Sequence, residues 1–462
     1  MSRSNIRSKA TVVAQSAYCG TAVRICSLVS QRRVAESAMT RFSSRSVRRA
    51  PRAAAAAPPG GPEDVAGVAG VPDVVAMVAG TLPEPAPPAP RARPAYAPGV
   101  TITWRSATVQ RLGAAWAGSQ ELFATLTSGP EPGREVRALA HPDLVGSPRP
   151  GDRVLLNVSA LARGLGTGGY ALVVALPDAL PPDPPPGPGH LVKARYTPLQ
   201  TMVLGADDQE SPHHALLADA DDLDGTPVVV ADLHSALPAV VAGVRADAPH
   251  ARVAYVMTDG GALPAAFSRA VAGLREAGWL AACVTTGQAF GGDLETATVH
   301  TGLLAAKLVV GADVVVVAQG PGNLGTGSRW GFSGVAAGEA LNAAAVLGGR
   351  PVAALRVSEA DPRERHRGIS HHTTTAVGRV ALAPVDVAVP DSPGAFHDGV
   401  RAQARALCGR RHTYVEVPAA GLDEALATSP VRLSTMGRGL DADRAGFVAA
   451  AAAGRHAAGL LG

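Results

Sequence analysis

The feature that most limits the fold is a strict alternation of short apolar runs with longer helix-patterned segments after residue 190. The runs sit in "TPVVVADLHS" (226–235), "ARVAYVMTDGG" (251–261), "WLAACVTTGQAFGGD" (279–293), "ADVVVVAQGPG" (312–322) and "RPVAALRVSEA" (350–360). Between them lie segments such as "ALPAVVAGVRADAP" (236–249) with helical spacing of apolar residues. The runs are continuously apolar rather than alternating, as in strands covered on both faces. Strands separated by helices form parallel βαβ units. "HTYVEVP" (412–418) adds an edge strand. The expectation for 190–462 is an α/β domain: a Rossmann-like open, mostly parallel sheet with flanking helices.

The preceding segment has a different rhythm. Between 101 and 182, "TITWRSATVQRLG", "QELFATLTS", "EVRALAHP", "DRVLLNVS" and "YALVVALP" are short runs divided by turn residues. Five short strands in so little chain suggest a small β-barrel-like domain. "DPPPGPGH" (183–190) reads as a linker to the α/β domain. Residues 1–100 do not read as a fold. They are rich in Arg and Ser and end in the Pro-rich "LPEPAPPAPRARPAYAPG" (82–99). The expectation is a disordered basic tail. Its composition resembles a targeting peptide, and a start codon assigned too early is the simpler explanation.

Charge divides along the same boundary. The first hundred residues hold 13 Lys/Arg and 5 Asp/Glu, while the remainder holds 29 and 33. The body is therefore mildly acidic, which argues against a nucleic-acid partner. Cys19, Cys26, Cys283 and Cys408 show no metal-ligand spacing and read as free thiols of a reducing compartment. No stretch is long and apolar enough to cross a bilayer, since Lys307 and Asp313 interrupt the best candidate. No membrane partner is expected.

In an open parallel sheet every strand's carboxyl end lies on one edge, and ligands bind there. The loops at those ends carry Asp232, His234, Asp259, Gln288, Asp293, Asn323, Arg329, Arg363, His366 and His371. "QGPGNLGTGSRWGFSG" (319–334) holds six glycines in sixteen residues. It matches neither a dinucleotide fingerprint nor a P-loop well. The reading is an anion site made by backbone amides at Gly320, Gly322, Asn323, Gly325, Thr326 and Gly327, closed by Arg329. "DPRERHRGISHHTTT" (361–375) adds Arg363, Arg365 and Arg367, which with Arg356 just upstream make four guanidinium forks for phosphate or carboxylate. Asp232, His234, Asp259 and His371 are the candidate acid/base groups. His366, His371 and His372 stand at i, i+5 and i+6, not the i, i+4 of a helical metal pair, so no metal ligand is assigned. Nothing in the chain identifies a cofactor.

Taken in order, "VMTDGGALPAAFS", "GQAFGGDLE", "HTGLLAAK", "AQGPGNLGTGSRWGFSG" and "RERHRGISHHT" resemble the bacterial domain-of-unknown-function family DUF3866 over about residues 101–462. The resemblance implies a cytoplasmic bacterial protein and makes the first hundred residues an atypical addition. It implies no activity, cofactor or catalytic residue. The residues themselves point to an enzyme acting on a small anionic metabolite, reaction open. A metabolite- or nucleotide-sensing protein without chemistry and a scaffold are the alternatives. The small-residue segment "GVAAGEALNAAAVLGG" suggests a homodimer contact.

Overall fold

The computed structural model describes residues 101–165, 168–260 and 264–462. The tail expected to be disordered lies outside the described residues. Residues 104–175 close a five-stranded barrel: β1 (Trp104–Trp116), β2 (Ser119–Leu126), β3 (Glu135–Ala140), β4 (Arg153–Asn157) and β5 (Ala171–Ala175). The strand order is β1-β2-β3-β5-β4, with β3 parallel to β5 and a short helix α1 (Pro142–Val145) between β3 and β4. That connectivity is the OB-type barrel. β1 is long enough to pair with both β2 and β4, and its register shifts beyond Val109 and Leu112 bend it around the closure. Ala107, Val109, Leu122, Ala124, Val154 and Leu156 alternate inward to fill the barrel.

A hairpin, β6 (Leu191–Lys193) and β7 (Thr201–Val203), and a turn of helix α2 (His214–Leu217) lead into the larger domain. There β8 (Pro227–Val230), α3 (Leu237–Asp247), β9 (Val253–Thr258), α4 (Arg269–Glu276), β10 (Ala282–Thr285), β11 (Leu294–Glu295) and α5 (Val299–Leu304) follow one another. Next come β12 (Val314–Gln319), α6 (Ala336–Val346), β13 (Arg350–Ala353), the small hairpin β14 (Val357–Ser358) and β15 (Gly368–Ile369), and α7 (His371–Thr375). The chain closes with β16 (Asp386–Pro390), α8 (Ala395–Cys408), β17 (Thr413–Val417) and α9 (Leu422–Ala427). The hairpin β18 (Ser434–Thr435) and β19 (Arg438–Gly439) and the long α10 (Arg444–Gly459) finish it.

Eight strands form one sheet in the order β11-β10-β9-β12-β8-β13-β16-β17, and every neighbouring pair is parallel. Helices α3, α4, α9 and α10 bury one face through Val229, Tyr255, Val314 and Val316. Helices α5, α6 and α8 bury the other through Val228, Val230, Val256 and Val315. This explains the unbroken apolar runs, since alternate residues of each strand meet different helices. Helices α3 and α10 cross at glycines: a Cβ on Gly454 would stand 1.9 Å from the Val240 carbonyl oxygen. The small residues of α6 are spent inside the chain, where a Cβ on Gly338 would lie 2.4 Å from the Ala376 carbonyl oxygen.

The barrel is held to the start of α4. Trp116 Nε1 and Ser119 Oγ both donate to the Ala266 carbonyl at 2.7 Å. Buried Glu121 accepts from Arg137 at 3.0 Å, Tyr170 at 2.7 Å and Arg269 of α4 at 2.9 Å. The chain leaves β8 and β9 through helices on one face and β12 and β13 through helices on the other. The loops therefore part at the carboxyl ends of these four strands, the topological switch where α/β sheets take ligands.

Candidate functional site

Asp232 stands two residues beyond β8 and is 6 % exposed. Its backbone carbonyl accepts from Gln319 Nε2, at the end of β12, at 2.6 Å. Its carboxylate Oδ2 has no hydrogen-bond partner. Arg356 Nη1 is 3.7 Å away and His372 Nδ1 is 3.8 Å away, both beyond hydrogen-bond reach. Burial pushes the Asp232 carboxyl up, opposed by the Arg356 charge. Gly334 allows the loop to pass here, because a Cβ on it would lie 2.9 Å from the Asp232 carbonyl oxygen.

The glycine-rich loop folds back on itself as a finger. Gly325 and Phe332 form a bridge, and the Thr326 amide donates to the Gly331 carbonyl at 2.7 Å. Ser333 Oγ donates to Gln319 Oε1 at 2.6 Å, and Asn323 Oδ1 accepts from the Gly334 amide at 3.2 Å. The amides of Leu324, Thr326, Gly331, Ser333 and Gly334 are thus engaged within the finger. Gly320, Gly322 and Asn323 line a cavity of about 290 Å³ with His234, Ser235 and Thr435. Ser235 and Thr435 also border a smaller space, about 40 Å³, that reaches Asp232 and Arg356. Gly325, Thr326, Gly327 and Arg329 lie on the exposed outer part of the finger, as do Leu324 and Trp330.

The finger returns Phe332 into the interior, where it lies flat on His372 with ring centroids 3.8 Å and planes 1° apart. His366, His371 and His372 meet there, with ring centroids 4.4 to 5.0 Å apart. Ser370 organises the turn: its Oγ accepts from the His372 amide at 3.2 Å and lies 2.8 Å from His366 Nδ1. Arg356 Nη1 is 3.0 Å from His372 Nδ1. His371 Nε2 is buried and has no partner. Burial, with Arg356 next, lowers His366 to about 4 and His372 to about 3. His371 is lowered by burial and then by Arg365, Arg356 and Arg363. His366 and His372 are therefore neutral at pH 7. Helix α7 continues into a π-helical turn, Ala376–Val380, a rarity frequent at functional sites.

The other residues singled out by sequence are distributed around this centre. His234 is bound by Tyr255 OH at 3.0 Å and Ser268 Oγ at 2.7 Å. Burial lowers it to about 4. Asp259 is exposed on the β10 side, where its Oδ2 accepts from the Gln288 amide at 3.2 Å. Asp293 pairs with Arg275 at 2.7 Å and borders a separate cavity of about 450 Å³ against the barrel. The Arg363 fork is occupied by Asp361 at 2.8 and 2.9 Å. Arg365 and Arg367 are exposed, and Arg365 Nη2 comes within 3.8 Å of a Cβ placed on Gly327.

A profile described as a protein of unknown function, DUF3866, matches residues 137–454, more than half of the chain. The chain belongs to the DUF3866 family. No curated protein and no solved structure matches it. The DUF3866 match begins in β3, so β1 and β2 lie outside it, and it contains every residue of the cleft from Asp232 to His372. Within this DUF3866 member, the residues that sequence reasoning passed over are Gln319, Phe332 and Tyr255. Arg356 was seen only as one arginine among four. A buried glutamine ending an apolar strand was the available signal for Gln319, because such an amide needs several partners.

Proposed function

We propose that this chain is an α/β enzyme that binds a small anionic metabolite at the carboxyl edge of its sheet, with Arg356 pairing the phosphate or carboxylate. The observation that carries this reading is one pair of atoms. Asp232 Oδ2 and His371 Nε2 are both buried, and neither has a hydrogen-bond partner. Native proteins pair almost all such groups, so two orphans flanking one arginine are positions for a ligand to fill. The Arg356 side chain is 11 % exposed and pairs with the Asp232 carboxylate at 3.7 Å, too far for a hydrogen bond. The cavity of about 290 Å³ lined by His234, Gly320 and Asn323 has the size for a metabolite, and Ser235 and Thr435 are shared between its wall and the smaller space, about 40 Å³, that Asp232 and Arg356 border. In this reading Asp232 and His371 face the reacting part of the substrate, while Arg365 and Arg329 attract it from outside. His234 shapes the cavity wall.

A second reading, a metabolite-sensing protein, draws on a different observation. Hydrogen bonds run from His234 to Ser268, the N-cap of α4, and the barrel grips the residues on either side of it. Ligand entry beside His234 would be felt by the barrel. Among the described residues, the two cysteines are buried free thiols, which fits a reducing cytoplasm. No helix among the described residues is long and apolar enough to cross a membrane.

Thermal unfolding of the full chain against inorganic phosphate, sugar phosphates, nucleotides and carboxylic acids tests the proposal. A ligand-specific rise in midpoint, absent in Arg356→Ala, is the expected result. A cooperative transition that no compound shifts would overturn it.

A further inference from the structure

We propose that His366, His371 and His372 form a binding site for a zinc-class divalent metal ion, whose open position receives the anionic ligand. The inference rests on the anion reading only for what fills that open position. Each imidazole offers one ligand nitrogen, and these three atoms lie within 4.8 Å of one another. His366 and His372 are buried, and His371 Nε2 is buried without a hydrogen-bond partner. An imidazole nitrogen hidden from water and left unpaired is costly unless something binds it.

The cluster is also held in place. Ser370 Oγ engages His366 Nδ1 at 2.8 Å, which leaves Nε2 as the free nitrogen of that ring. Phe332 covers the face of His372. Metal sites use such outer contacts to fix ring orientation. The buried Asp232 carboxyl group lies beside the cluster, its Oδ2 3.8 Å from His372 Nδ1 and without a hydrogen-bond partner.

The donor set selects the metal. Imidazole nitrogens suit zinc and its neighbours, whereas magnesium and calcium take oxygen ligands. Three histidines leave a position open, as in catalytic rather than structural zinc sites. Arg356 Nη1 stands 3.0 Å from His372 Nδ1, so an ion bound at that nitrogen would take its place. An ion there releases the guanidinium from the imidazole, and a phosphate or carboxylate oxygen spanning ion and arginine satisfies both charges.

The test uses the full chain, stripped with a chelator and titrated with zinc and, in a separate sample, with cobalt. Metal content should reach about one ion per chain, with the visible absorption of low-coordinate cobalt. His371→Ala should weaken binding by more than about tenfold. Arg356→Ala should bind metal at least as well as the parent. A folded parent chain that retains no ion and gives no cobalt band would overturn the proposal. So would binding that survives in His371→Ala but is lost in His190→Ala, which removes the exposed His190–Asp208–Glu210 group. Because the cobalt band is read on the parent chain, the test stands even if the histidine variant fails to fold. Phosphate titration of the stripped and metal-loaded chains separates the two claims. A phosphate response without metal binding leaves only the anion site, and metal binding without a phosphate response leaves only the metal site.

Discussion

Replacing Phe332 with alanine should couple a loss of stability to a loss of ligand response. Phe332 is 4 % exposed, although it belongs to a loop whose neighbours from Leu324 to Trp330 are mostly exposed. Deleting a buried phenylalanine side chain costs about 3–5 kcal/mol when the surroundings cannot collapse. One wall here is the finger itself, which can relax, so the low end, about 3 kcal/mol, is expected. Phe332→Leu keeps most of the volume but removes the flat contact with His372, and should cost about 1 kcal/mol. Urea unfolding of both variants gives these values, and binding of phosphate or metal reports the histidine geometry. The ligand response should fall in both variants, because both free His372 to turn. A cost below about 1 kcal/mol in Phe332→Ala, with ligand response intact, would refute the reasoning that Phe332 fixes His372 for the ligand.

Acid should weaken the fold through His234. Burial holds it at about 4 against an ordinary 6.5, so its unfolded form takes up a proton first. The stabilisation is complete above about pH 6.5 and is lost as pH falls toward about 4, to an upper limit of about 3 kcal/mol. Urea midpoints between those pH values should slope less in His234→Gln than in the parent chain. Gly454→Ala should cost about 3 kcal/mol or more, because the new methyl collides with the Val240 carbonyl where α3 and α10 cross; calorimetry measures it. Glu121→Ala removes the acceptor shared by Arg137, Tyr170 and Arg269, and should cost about 1–3 kcal/mol. Hydrogen exchange should then show faster opening at the barrel's contact with α4 while β12 and β16 stay protected.

The architecture was legible because it follows from local pattern. Val314–Val317 or Val228–Val230 can hardly be anything but strands buried on both faces, and helical segments between such strands dictate parallel pairing. The position of the cleft followed as well, since parallel strands deliver their loops to one edge. The arrangement inside it depends on partners that spacing does not encode. Of the amides that the finger's glycines suggested, Thr326 bonds across the finger to Gly331 and Gly320 bonds to Thr258, while the side chains of Asn323, Ser333 and Gln319 bond one another across gaps of four to fourteen residues. His366, His371 and His372 looked scattered because helical spacing was assumed. His366 instead sits on a 3-10 turn, and β15 and the Ser370 turn fold the chain back onto it. Arg363 looked available for a ligand, but its fork closes on Asp361 only two residues upstream. Arg356 stands apart because it is buried, at 11 % side-chain exposure, while its pairing with Asp232 stays at 3.7 Å.

The central claim is that Arg356, Asp232 and His371 enclose a site for an anion, and a crystal structure of the full chain with tungstate, a heavy analogue of phosphate, tests it most directly. The account predicts an anomalous peak within hydrogen-bond reach of Arg356, beside His371 Nε2. A peak found only at the exposed Arg329, Arg365 or Arg367, or none at all in well-ordered crystals, would contradict it.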